Sequence, residues 1–104
     1  AFLAAARAGD FAALLRLLHP DVVVDADDTI AIRPPAIRGA EKAARYFAGR
    51  AQAARAAIAG TEVGALVTRG DGSSLFLRFE TKAGKLFRIT ATTDPAFLRR
   101  AVSM

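Results

Sequence analysis

The side chains able to do chemistry are few, and they gather in three places. Asp25, Asp27 and Asp28 form an acidic run after three valines, His19 stands before Pro20, and Arg78, Glu80, Thr81, Thr90 and Thr92 are set among apolar residues further on. Three closely spaced carboxylates could hold Mg²⁺ or Ca²⁺ through oxygen, but the same spacing is that of an acidic turn. An imidazole can serve as a general base near neutral pH if a partner fixes its tautomer. His19 is the only histidine, so no second imidazole can play that part or complete a multi-histidine zinc or iron site. At a helix end beside proline it reads as a capping or solvent-facing group. Cysteine is absent, which excludes disulfides and thiolate sites and fits a reducing compartment such as the cytoplasm. The expectation is no catalytic residue, no cofactor and no metal.

The elements that must position these groups follow from periodicity. Phe2, Leu3, Phe11, Leu14, Leu15 and Leu18 fall at helical intervals interrupted by Gly9-Asp10, which predicts two short helices, the second capped by Asp10 and ended by His19-Pro20. Val22, Val23 and Val24 predict a strand over 21–28, with the turn at Asp27-Asp28 leading to a second short strand over 29–33. Pro34-Pro35 breaks regular structure. An alanine-rich stretch from Ala40 to about Ala59, with Glu41 in its first turn, predicts the main helix. Three strands follow over 61–69, 74–82 and 85–93, separated by Gly70-Asp71-Gly72-Ser73 and Ala83-Gly84. Pro95 opens a last helical turn through Phe97, Leu98 and Val102. Arg78 and Glu80 have the opposite parity from Leu77 and Phe79, which reads as solvent-facing charge. Parity alone does not say which face is the interior, and any of Arg78, Glu80, Thr81, Thr90 and Thr92 that faces it could orient a ligand or serve as a catalytic acid.

This order predicts an α+β fold, a strongly curved antiparallel sheet forming a cone against helices on one face. Its core should hold Phe2, Leu14, Leu18, Val22, Val24, Phe47, Leu77, Phe79, Phe87 and Ile89, and its mouth is where an apolar small molecule could bind, lined by Phe2, Val24, Phe47 and Phe79. With 104 residues, 53% of them hydrophobic, the chain suits one domain with a real core. No apolar run is long enough for a membrane helix, and Arg7, Asp10 and Arg16 interrupt any signal core. The net charge of +5 invites a nucleic-acid reading, but the cations are scattered along the chain without a helix-turn-helix or RNP signature. Arginine outnumbers lysine 12 to 3 and alanine occupies 25 positions, a bias that follows GC-rich coding as readily as function. Direct nucleic-acid binding is not expected.

Residues 2–11, with Leu14-Leu15 and Leu18-His19-Pro20-Asp21-Val22, resemble the opening of SnoaL-like domains of the nuclear-transport-factor-2-like superfamily, and Ile37-Arg38-Gly39-Ala40-Glu41 resembles the start of their long helix. The strand order extends the likeness over nearly the whole chain. Within that superfamily the sequence is most similar to the C-terminal extension of bacterial extracytoplasmic-function sigma factors. Those extensions often carry an Asp-Gly-Gly-Gly-Lys motif after the first strand and an Asn-Pro-Asp-Lys-Leu motif near the end. Here the corresponding places hold Asp25-Ala26-Asp27-Asp28-Thr29 and Asp94-Pro95-Ala96-Phe97-Leu98, where Asp25, Pro95 and Leu98 match and the lysines do not. The resemblance implies a regulatory domain at the C-terminal end of a longer chain, and a first residue that is alanine fits trimming. Its partners would be the promoter-binding sigma regions and RNA polymerase, reached through Asp25, Asp27, Asp28, Asp94, Pro95 and Leu98.

Ketosteroid isomerases and polyketide cyclases share the superfamily, so an enzyme is the rival reading. Isomerases of this fold need a tyrosine on the first helix and an aspartate after the first strand. Alignment on Ala8-Gly9-Asp10 and on Asp21-Val22 puts Phe2 and Ala26 at those places, groups that neither donate nor accept the proton. A free-standing small-molecule-binding protein, or an enzyme of the isomerase type or of the cyclase type with a cone-facing strand residue as its acid, stays open as the alternative. Domains of this superfamily often pair through the open sheet face, so a homodimer is also an expectation.

Overall fold

The computed structural model describes residues 1–50 and 52–103. Two seven-residue helices open the chain, α1 (Phe2–Ala8) and α2 (Phe11–Leu17). Asp10 caps the second by accepting the Ala13 N–H at 3.1 Å. The chain turns extended at Leu18 and enters β1 (Leu18–Ala26). Pro20 lies inside β1 and has no N–H to give, and the pairing with the neighbouring strand breaks between Leu18 and Val23. His19 helps bridge this gap, its Nδ1 accepting the Asp21 N–H at 3.0 Å.

The next elements depart from the sequence expectation. The strand expected over 29–33 does not form: Asp27 folds the backbone into a turn by accepting the Thr29 N–H at 3.0 Å, and the partner of β1 is instead the two-residue β2 (Ile37–Arg38). The long alanine-rich helix is also shorter than expected. After α3 (Ala40–Phe47) the backbone leaves the helical region, with Gly49 at φ 80°, and Ala54–Ala59 becomes strand β3. Alanine favours a helix locally, but here its small side chain suits a tightly packed sheet: Ala54, Ala57 and Ala59 are buried, and β3 pairs residue for residue with β4 (Glu62–Thr68) through a two-residue hairpin. Ladder bonds and burial outweigh a propensity difference of a few tenths of a kcal/mol per residue.

The meander continues as β5 (Ser74–Lys82) and β6 (Lys85–Thr92), joined by Ala83-Gly84. Helix α4 (Pro95–Arg100) and the short β7 (Ala101–Ser103) finish the described chain. The seven strands lie in the order β2-β1-β6-β5-β4-β3-β7. All neighbouring pairs are antiparallel except β1 and β6, which run parallel because the chain crosses the whole sheet before returning beside β1.

Helices α1 to α3 cover one face of the sheet, where Phe2, Leu14, Leu18, Val22, Phe47 and Ile89 are buried with Val24, Leu77 and Phe79 packed against them. Phe87 is an exception. The β5–β6 register slips between Glu80 and Thr81, a bulge that turns Leu86 into the core and leaves Phe87 edge-on to His19 at 5.2 Å with Lys82 over its ring. The helices do not all share a face. Phe76, of opposite parity from Leu77, is fully buried because α4 lies across that corner of the other face, with Phe97 5.0 Å from its ring.

Candidate functional site

Between α1, α3, the 27–36 loop and the concave sheet face lies a cavity of about 480 Å³, within the range that encloses a drug-sized ligand. Its wall is built from side chains of like parity on neighbouring strands: Val24 and Ala26 on β1, Ala91 on β6, Leu75 and Leu77 on β5 and Val67 on β4. Phe2 and Phe47 close the helical side, 5.2 Å apart and nearly perpendicular. Three of the four side chains expected at the mouth, Phe2, Val24 and Phe47, therefore line it. Phe79 stands behind, edge-on to Phe2 at 5.6 Å, as a support rather than a wall.

Sequence reasoning missed the rim. Tyr46 reads as helix packing and Arg50 as part of a solvated helix face, yet both line the cavity, with the Arg50 guanidinium 4.8 Å above the Tyr46 ring. The missed signal was Gly49, which ends the helix and brings Arg50 to the mouth. Arg69 comes from the end of β4, and Ile30 and Ile32 from the loop that was expected to be a strand.

The two places that an isomerase would use, Phe2 and Ala26, both face this cavity. Asp25 also contributes to the wall, but its carboxylate is turned to Arg88 and to the Thr90 hydroxyl, which donates to it at 3.0 Å. Hydrogen bonding and charge from Asp25 hold the Arg88 guanidinium above its usual range. Arg78 pairs with Glu62 at 2.9 Å on that same sheet face, 39% and 36% exposed.

The acidic run does not converge on a point. Asp25 serves Arg88, Asp27 serves Thr29, and Asp28 pairs at 2.9 Å with Arg33. Among the described residues no three acidic or imidazole groups are placed to hold a metal ion.

What the structure brings together is the two ends of the expected contact surface. Thr29 gives its hydroxyl proton to Asp27, and the buried Thr92 hydroxyl lies 3.2 Å from the Thr29 hydroxyl, within reach of both. The Thr93 N–H donates to the Thr29 hydroxyl at 2.7 Å, the Thr93 hydroxyl to the Thr29 carbonyl at 2.8 Å, and the Asp94 N–H to the Thr92 hydroxyl at 3.2 Å. Burial raises the Asp27 pKa, but hydrogen bonds from Thr29 and Thr92 and the charge of Arg78 outweigh it and hold the carboxyl below the usual aspartate range. Asp94 then caps α4 by accepting the Ala96 N–H at 3.0 Å, with Pro95 in the first turn. Asp94 and Pro95 thus have a structural role of their own, and Leu98 packs against the Phe76–Phe97 cluster. Asp28, Thr29, Pro95 and Ala96 are exposed.

A family model for the SnoaL-like domain matches residues 1–103. The chain belongs to the SnoaL-like domain family. Solved structures place this SnoaL-like domain beside proteins of different kinds. The extracytoplasmic-function sigma factor SigJ of Mycobacterium tuberculosis superposes with a TM-score of 0.71 at 24% identity, over 93% of this chain and 41% of the sigma factor. The SnoaL-like domain therefore spans less than half the length of that relative. A putative polyketide cyclase from Sinorhizobium meliloti gives 0.62 at 20% identity, over 88% of this chain and 89% of its own. The orange carotenoid protein of Anabaena, whose structure holds canthaxanthin, gives 0.59 at 18% identity, over 94% of this chain and 36% of its own. At these identities the likeness is one of fold. No curated protein matches the sequence.

Proposed function

We propose that this SnoaL-like domain is the regulatory C-terminal part of a bacterial extracytoplasmic-function sigma factor. It contacts the promoter-binding regions through the surface where the 25–29 and 94–98 segments meet, and its cavity binds a small apolar molecule without turning it over. The observation that carries this reading is the Thr29–Thr92–Thr93 network. It joins into one surface two segments that are 65 residues apart at Thr29 and Asp94 and that both resemble sigma-factor motifs. Binding rather than turnover is supported by Phe2 and Ala26, which offer the cavity no proton donor or acceptor where an isomerase needs both.

The test uses exposed residues that the fold can spare. In the full-length protein, Asp28→Lys and Ala96→Glu should each change transcription from the cognate promoter severalfold while circular dichroism and melting stay near those of the parent. Unchanged transcription with an intact fold, or a full-length gene without sigma regions, contradicts the reading. A free-standing binding or cyclase-type protein is the second reading, favoured by the cyclase match, which covers 88% and 89% of the two chains. A gene of this length beside biosynthetic enzymes would support it.

A further inference from the structure

We propose that the ligand of the cavity is an apolar monocarboxylate, its body against the apolar wall and its head group held by Arg50 and Arg69 at the rim. The proposal rests on the cavity being a binding site. Three charged residues line the cavity, Asp25, Arg50 and Arg69. The Asp25 carboxylate is already neutralised by Arg88 and turned away. Among the described residues neither Arg50 nor Arg69 takes part in a salt bridge. Asp71 lies within electrostatic reach of Arg69, but its carboxylate is engaged by the Ser73 hydroxyl at 2.6 Å and the Ser73 N–H at 2.9 Å.

The cavity therefore presents positive charge at its mouth and apolar surface within. Arg50 is placed to pair with an anion: its guanidinium lies 4.8 Å from the Tyr46 ring centroid, a cation–π contact that holds it at the rim, and a carboxylate is the group its N–H donors pair with best. A second hollow shares Pro35, Ile37 and Tyr46 with the first and carries Arg38 and Lys42 beside an Arg45 that is paired with Glu41 at 2.6 Å, so Arg38 and Lys42 extend the positive field that would draw an anion in. Ile32 is 90% exposed at the mouth, apolar surface that the body of such a ligand would cover.

The experiment compares two probes of the same shape, anthracene-9-carboxylate and the neutral 9-anthracenemethanol, titrated into the protein and followed by amide chemical shifts at Ile37, Leu75 and Leu77. The carboxylate should bind about tenfold or more tightly than the alcohol, the difference expected of charge-assisted hydrogen bonds. Arg50→Gln with Arg69→Gln should abolish that preference and leave the alcohol unchanged. Arg99→Gln with Arg100→Gln, which lowers net charge equally at a distant helix end, should leave the preference intact. Equal affinities, or a preference that survives the rim substitutions or is lost with the distant ones, overturn the carboxylate assignment while the cavity stands as a neutral site. Binding of neither probe overturns the site reading as well.

Discussion

Thr92 is the residue on which the two turns depend. It is 1% exposed, and its hydroxyl serves Thr29 and the Asp94 N–H together. Thr92→Val keeps the shape and removes both bonds, leaving a partly buried N–H without its partner, so it should cost about 1–3 kcal/mol in urea unfolding. Thr92→Ser should retain most of that stability. Equal stability of Thr92→Val and the parent would show that the hydroxyl does not hold the turns together. Asp27 makes the same point through pH. Its folded pKa lies below the usual 3.8, so its ionised form stabilises the fold above that value, and the contribution is lost as pH falls through the folded pKa. Carboxyl NMR should give a midpoint below 3.8, and Asp27→Asn should flatten the fall in stability under acid; a midpoint at or above 3.8 contradicts the network. None of this was legible in the sequence beyond the presence of an acidic turn, since Thr29 and Thr92 are paired by tertiary structure alone.

At the scale of elements, β4 and β5 approach so closely that Gly64 has no room for a side chain: a Cβ there would lie 2.0 Å from the Leu77 carbonyl oxygen and 2.7 Å from the Phe76 ring. Gly64→Ala should therefore destabilise by about 1–3 kcal/mol, the usual cost of overpacking, as measured by thermal or urea unfolding; a neutral change would mean that these strands are more loosely packed. Elements with strong punctuation were readable before the structure. Asp10, Pro95 and the Ala83-Gly84 turn mark helix starts and a hairpin by local chemistry, and β5 occupies the expected 74–82. The alanine-rich stretch was not readable, because alanine's local preference for helix is opposed by a hairpin partner further along the chain. The cavity rim was lost with it, since Arg50 takes its place only once the helix ends at Phe47. Phe87 shows the same limit from another cause, because a bulge reverses parity without any change in residue type.

At the scale of the whole molecule, the curved sheet separates two surfaces. One encloses a cavity with apolar walls and a cationic rim, and the other carries the ion pairs Asp25–Arg88 and Glu62–Arg78 with α4 at one corner. The joined 25–29 and 94–98 segments are held by hydrogen bonds and a helix cap, so they can meet a partner with little ordering cost. The curved α+β architecture was legible because strand and helix order survive errors in individual boundaries, whereas the joining of the turns needed coordinates. The most direct test of the proposed role is hydrogen exchange on the full-length protein, compared with the isolated 104-residue domain. Amides over 27–31 and 93–97 should exchange more slowly in the full-length protein while those of the distant β3–β4 hairpin are unchanged. Identical exchange in the two forms at both segments would contradict the account.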